Sequence, residues 1–246
     1  VRPCDLSALE LQDRHFLAPG VEDPHYKKRR DSLLLIGVDC SHPADTCFCA
    51  STGDGPDLTA GFDIGMSELD EGFLLRMGTT RGWEVVKPMG LDQAAEIQQQ
   101  QAAVQNEQAR IRQKKKLPDA DIQKLLLQRP GHPHWQHVAE RCTACGSCTS
   151  VCPTCFCFSE HAGTSLDGAV SSQLREWSSC FVSNHSFFHG QPVRVDIASR
   201  YRQWLTHKLA GWQEQFGRSG CVGCGRCISW CPVGIDLTRE VAKLVQ

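Results

Sequence analysis

Two copies of one cysteine spacing constrain this 246-residue chain more than any other feature. The first copy has the pattern C-x2-C-x2-C-x3-C-P and comprises Cys142, Cys145, Cys148 and Cys152, followed by Pro153. The second copy repeats it at Cys221, Cys224, Cys227 and Cys231, followed by Pro232. The chain has 15 cysteines in all, an odd number for a disulfide framework in a protein too large to need one. Thiols this closely spaced indicate bound metal.

The spacing has a physical reason. Three cysteines two residues apart allow a tight loop to surround one corner of an iron–sulfur cube, and small residues such as Gly146 and Gly223 let backbone N–H groups approach the sulfides. In two-cluster ferredoxin-type domains, the fourth cysteine of each run binds the other cluster. The sequence therefore predicts one 4Fe-4S centre at Cys142, Cys145, Cys148 and Cys231, and a second at Cys221, Cys224, Cys227 and Cys152.

Structural zinc is the alternative interpretation of the two runs. Zinc takes four tetrahedral ligands, usually from two C-x2-C pairs. Such a site leaves the third cysteine of each run, and both prolines, without a role. The iron–sulfur interpretation is therefore favoured.

Seven cysteines lie outside these runs. The N-terminal group comprises Cys4, Cys40, Cys47 and Cys49, and two hypotheses fit it: a third 4Fe-4S cluster, or buried thiols beside a functional loop. The others are Cys155, Cys157 and Cys180, one thiol short of a usual cluster set. Packing as small apolar residues is favoured for them over tuning a nearby cluster through weak S–H hydrogen bonds.

The fold class predicted is α+β, in three regions. Residues 1–91 have a mixed α/β pattern, with a helix over Leu6–Phe16, a buried strand in SLLLIGVDC and a hairpin turning near Thr79–Gly82. Residues 92–134 form a polar, Gln-rich helical connector, with Ile97, Val104 and Ile111 as a thin apolar face against the protein surface. Residues 135–246 form an α-helical ferredoxin-type domain with two 4Fe-4S clusters.

Helical patterns flank both cysteine runs in the third region. Apolar residues recur at helical spacing ahead of Gly217: Tyr201, Leu205, Leu209, Trp212 and Phe216. Asp236 is placed to cap a terminal helix. The chain opens on Val1 within motif-bearing sequence, so we expect a preceding N-terminal segment in the natural protein.

Composition excludes several functions. The net charge is -2, which offers no broad basic surface for nucleic acid. The longest apolar run, Leu33–Val38, is far below the roughly 18 residues that cross a bilayer, so no direct membrane insertion is expected. Thiolate-rich metal sites favour a reducing compartment, here the cytoplasm. Since no dinucleotide, P-loop or H-E-x-x-H motif is present, no catalytic residue is assigned.

Five segments together resemble a known family: RPCD at Arg2, CFCASTGDGP at Cys47, GFDI at Gly61, CPTCFCFS at Cys152 and CVGCGRCISWCPVGID at Cys221. They are similar to the beta subunit of soluble NAD(P)-linked nickel–iron sulfhydrogenases, and equally to the corresponding iron–sulfur component of anaerobic sulfite reductase, which feeds electrons to a sirohaem subunit. The resemblance implies a non-catalytic iron–sulfur subunit of a heteromeric oxidoreductase. Such a protein relays single electrons between a catalytic subunit, either a nickel–iron hydrogenase or a sirohaem sulfite reductase, and a flavin/NAD(P)-binding subunit.

A different class of function stays open beside this one. The GDGP loop and the neighbouring cysteines of the N-terminal domain could bind a flavin or a substrate, which would make the chain an enzyme with its own site. Flavin in the isolated subunit would favour this alternative.

Overall fold

The computed structural model describes residues 1–183 and 185–246. They form two compact units, the first comprising Val1–Leu117 and Arg218–Gly225, the second Pro118–Gly217 and Arg226–Gln246. The predicted α+β class is confirmed, since both units contain helices and small sheets. The boundary between the units passes through the second cysteine run. It also divides the 92–134 region, because the long helix of that region packs with the N-terminal elements.

The first unit combines helices with a three-stranded sheet. Its elements are α1 (Pro3–Phe16), α2 (Pro24–Ser32), β1 (Ile36–Val38), α3 (Cys49–Thr52), β2 (Ile64–Leu69), β3 (Gly72–Met77), α4 (Thr80–Val86) and α5 (Glu96–Arg112). Strand β2 is central, parallel to β1 and antiparallel to β3. Leu6, Leu35 and Leu58 form a buried core against one another.

Helix α1 confirms the predicted N-terminal helix and begins at Pro3, where a missing N–H costs nothing. The Asp5 carboxylate accepts a hydrogen bond from Arg2 N at 3.3 Å, which caps the first turn. Leu6 and Leu11 are buried on its inner face. The RPCD segment is thereby fixed at a helix start, and Cys4 is buried with it.

The predicted position of the hairpin turn is wrong. Strands β2 and β3 do form a hairpin, but the chain turns at Asp70 and Glu71. Thr79 instead caps α4, because its Oγ1 accepts a hydrogen bond from Gly82 N at 3.1 Å. A Cβ at Gly82 would lie 2.0 Å from the Asp63 carbonyl oxygen, so glycine lets α4 approach the sheet.

Helix α5 confirms the Gln-rich helix and packs on β2 and β3, but through a different face from the one expected. Ala102 and Ala109 are the buried residues of this helix. Ile97, Val104 and Ile111 are more than half exposed. Alanine is favoured at the contact because its small side chain lets the helix lie close to the strands.

The second unit is mainly helical. Its elements are α6 (Ile122–Gln128), α7 (His134–Ala139), α8 (Ser147–Ser150), β4 (Phe158–Thr164), β5 (Ser171–Trp177), β6 (Phe187–Phe188), β7 (Gln191–Pro192), α9 (Ile197–Thr206), α10 (Trp212–Phe216), α11 (Arg226–Ser229) and α12 (Leu237–Val245). A π-helical turn, His207–Gly211, joins α9 to α10. Across both described parts of the chain, no helix is long and apolar enough to span a membrane.

The predicted helical stripe and the cap predicted at Asp236 occur in this unit. Tyr201, Leu205, Leu209 and Trp212 are buried along α9, the π turn and α10, and Gly217 ends the helix with a φ of 70°. Asp121 caps α6 by accepting from Lys124 N at 3.0 Å. Asp236 caps α12 by accepting from Thr238 N at 3.0 Å.

Strands β4 and β5 form a hairpin that the sequence analysis did not predict. Most of its side chains are exposed on both faces, so the strands lack the apolar alternation that signals a half-buried sheet. The loop between the strands, residues 165–170, contains the turn-forming pair Asp167-Gly168.

Candidate metal centre

One cavity of the second unit, here called the first cavity, collects cysteines from both runs. Cys142, Cys145, Cys148 and Cys231 line it, with Cys227 also on its wall. Its empty volume is about 470 Å³. The remaining wall is largely apolar and includes the side chains of Phe181, Tyr201, Trp204 and Leu237.

Short helices position these thiols. The first run turns through left-handed backbone at Ala144 (φ 53°) and Gly146 (φ 75°), and α8, which contains Cys148, begins directly after Gly146. Helix α11 precedes Cys231 and contacts α8. Residues that lie 83 positions apart, Cys148 and Cys231, therefore reach one cavity.

Backbone N–H groups point at two of the sulfurs. Ala144 N donates to Cys142 Sγ at 3.4 Å, and Ile235 N donates to Cys231 Sγ at 3.3 Å. Hydrogen bonds of this kind stabilise negative charge on a ligand sulfur. They are the contacts expected around thiolates that hold a cluster.

The free thiols of this cavity differ in acidity. Burial raises the pKa of Cys142 and of Cys148, whereas hydrogen bonds from Ser147 lower the pKa of the exposed Cys145. A metal binds the thiolate and displaces the proton. Burial of Cys142 and Cys148 therefore disfavours the thiolate form that a metal requires. The same apolar surroundings strengthen the electrostatic attraction between a bound metal and the thiolate.

The predicted second cluster set is divided between the two units. Cys221 and Cys224 belong to the first unit, Cys152 and Cys227 to the second, so this set stays a prediction. Within the second unit, the Cys155 thiol hydrogen-bonds to Cys152, and together with the Lys208 ammonium it lowers the pKa of Cys152.

In the first unit, the N-terminal group of thiols forms a neighbourhood. Cys4, Cys47 and Cys49 are buried and Cys40 is partly buried. A Cβ at Gly55 would lie 3.1 Å from Cys49 Sγ and 3.3 Å from Pro3 Cβ, so the RPCD, CFC and GDGP segments meet here. Burial, with smaller contributions from the Cys47 and Cys40 thiols, raises the pKa of Cys49 to about 11.

The loop of the second cysteine run lies against this neighbourhood. Phe48 N donates to the Gly223 carbonyl at 2.8 Å, and a Cβ at Gly223 would lie 2.5 Å from Cys49 Cα. Gly223 has a φ of 61°. From the sequence, its small size was expected only to let backbone N–H groups approach a cluster. Gln113 Nε2 also donates to Cys49 Sγ at 3.2 Å. This close backbone approach, over a separation of 174 residues, has no local sequence signal.

The remaining cysteines, Cys155, Cys157 and Cys180, line a second cavity in the second unit. Among the described residues, no three His, Cys, Asp or Glu side chains converge as closely as one metal ion requires. The first cavity brings together five thiols, among them the four predicted to hold one cube, whose four irons each take one thiolate.

Comparison with known proteins identifies the family of the chain. Residues 141–235 match the family described as a 4Fe-4S dicluster domain. The chain is 31% identical over 250 aligned residues to sulfhydrogenase 2 subunit beta of Pyrococcus furiosus, covering 99% of this chain and 72% of that protein. No solved structure matches the chain significantly. The chain belongs to the sulfhydrogenase beta subunit family.

Proposed function

We propose that this protein is the iron–sulfur electron-transfer subunit of a nickel–iron hydrogenase complex. It relays single electrons in the cytoplasm between two partners: a catalytic metal subunit, and a flavin/NAD(P)-binding subunit. The observation that supports this most directly is the first cavity, which is lined by three thiols of the first cysteine run and by Cys227 and Cys231 of the second. Membership of the sulfhydrogenase beta family supports the hydrogenase as partner.

The ligand assignment follows the crossed pattern. Cys142, Cys145, Cys148 and Cys231 hold one 4Fe-4S cube, and Cys221, Cys224, Cys227 and Cys152 hold the other. A bound cube takes up and releases one electron at a time. Aromatic and aliphatic side chains form much of the wall of the first cavity, while Ala144 N and Ile235 N offer hydrogen bonds to ligand sulfurs.

A third cube at Cys4, Cys40, Cys47 and Cys49 belongs to the same proposal. Their burial in one neighbourhood, the hydrogen bond from Gln113 and the nearby cluster loop at Gly223 support it. Replacing Cys47 and Cys49 with serine should remove about four irons per chain from anaerobically reconstituted protein. Unchanged iron in the folded variant would reject this site.

The function itself is tested by reconstitution with partners. The isolated subunit should be free of flavin and should show no hydrogenase activity. Adding it to a flavin subunit together with a nickel–iron subunit should restore hydrogen-dependent reduction of NAD(P), and the C142A/C231A variant should not. Flavin in the isolated subunit would favour the enzyme alternative, and a co-purifying sirohaem subunit would favour the sulfite reductase alternative.

A further inference from the structure

The second cavity is lined by three thiols that neither predicted cube uses. Cys155, Cys157 and Cys180 line an empty volume of about 360 Å³. Trp204 lines both this cavity and the first, so the two are neighbours in the same unit. If these cysteines only packed as small apolar residues, they would not need to lie at the same cavity.

The β4–β5 hairpin brings the distant thiol into this group. Phe158 at the start of β4 pairs with Trp177 at the end of β5, and Ser178 N then donates to the Cys157 carbonyl at 3.0 Å. This closure places Cys180 beside the CPTCFC segment although 22 residues separate it from Cys157. The base of the hairpin therefore brings Cys180 to the other two thiols, whereas the rest of the hairpin is mostly exposed.

A buried cation also lies at this cavity. Lys208 lines it and is only 4% exposed. Its ammonium donates to Thr154 Oγ1 at 2.7 Å and lies 4.9 Å from the centre of the Trp212 ring. Lys208 belongs to the π-helical turn His207–Gly211, and such turns are frequent at functional sites. A thiolate-held cluster in the cavity would place negative charge beside this ammonium, which is favourable in a low-dielectric interior.

We propose that the second cavity binds an iron–sulfur cluster of its own through Cys155, Cys157 and Cys180. Three thiols and a buried lysine line the same cavity, and these are the ligand type and the charge that suit an anionic thiolate-held cluster. On assembly, each thiol loses its proton to water and forms one Fe–S bond. Three thiolates complete a three-iron cluster, or hold a four-iron cube whose remaining iron takes an exchangeable ligand.

The test is iron and sulfide analysis, with EPR, on full-length protein reconstituted anaerobically with iron and sulfide. The variant is C157S/C180S, which spares Cys155 because that thiol contacts Cys152. We expect a loss of about three or four irons per chain with matching sulfide, while the signal from the paired cubes persists. The matched control, C47S/C49S, should leave the signal assigned to the second cavity unchanged.

Three results separate the outcomes. Unchanged iron and sulfide in folded C157S/C180S would overturn the proposal, even if the potential of a neighbouring cluster shifted. If C157S/C180S does not fold, the iron content of C47S/C49S tests the proposal instead. More than about eight iron atoms per chain in C47S/C49S would support a site in the second cavity, and about eight would contradict it. Failure of the proposed two-cube function would instead appear as loss of the coupled EPR signal in every protein. Lys208→Met should lower the midpoint potential of the new signal.

Discussion

Gly223→Ala tests the close approach between the second cysteine run and the CFC segment. The new Cβ would lie 2.5 Å from Cys49 Cα and 2.6 Å from Cys49 N. Neither atom is on a flexible side chain, so backbone must move. The φ of 61° adds the strain of left-handed backbone, about 1 kcal/mol.

The matched control is Gly53→Ala. Gly53 is in the same unit with a φ of 77°, and a Cβ there would meet no atom within 4 Å. Both variants bear the conformational strain, and only Gly223→Ala bears the overlap, worth about 1–3 kcal/mol. At about 3 °C per kcal/mol, its thermal midpoint should fall about 3–9 °C further than that of the control. Differential scanning calorimetry under anaerobic conditions measures the difference, and equal midpoints for the two variants would refute the close approach.

Three other perturbations have defined outcomes. Gln113→Leu removes the N–H donor to Cys49 Sγ, so the midpoint potential of a cluster at the N-terminal thiols should fall in a redox titration; an unchanged potential would argue against Cys49 as a ligand. Arg141→Met should lower stability by about 1–2 kcal/mol, because the buried Glu240 loses a partner at 2.6 Å; a thermal midpoint equal to that of the parent would contradict this contact. The hydrogen bond from Ser199 N lowers the pKa of Asp196, so the stability from this cap is present above the unfolded pKa of about 4 and is lost as pH falls through the folded value. Asp196→Asn should therefore flatten the acid limb of the stability profile, and an unaltered limb would exclude a role for this carboxylate.

Local patterns were sufficient for much of the fold. Asp236 caps the helix it was expected to cap, and the stripe from Tyr201 to Trp212 is buried as its helical spacing predicts. These features depend on residues within a few positions of one another. The face of α5 that contacts the sheet was not predicted, because Ala102 and Ala109 are less hydrophobic than the larger apolar residues of this helix. Those larger residues are Ile97, Val104 and Ile111.

Features that depend on contacts between residues far apart in the sequence could not be predicted from local patterns. Lys208 stands next to Leu209 in an apolar stripe, and only the fold shows that the ammonium is buried beside three thiols. Cys180 joins Cys155 and Cys157 through a hairpin with exposed faces, which has no periodic apolar signal. The packing of Gly223 on Cys49 likewise depends on tertiary structure.

The crossed ligation of the two cubes is the central claim, and EPR of dithionite-reduced single-cysteine variants tests it most directly. Cys231→Ala is compared with Cys145→Ala, which shares its cavity, and with Cys221→Ala, which shares its run. If Cys231 serves the first cavity, Cys231→Ala and Cys145→Ala should perturb the same component of the coupled spectrum. A spectrum of Cys231→Ala that matches Cys221→Ala instead would contradict the account.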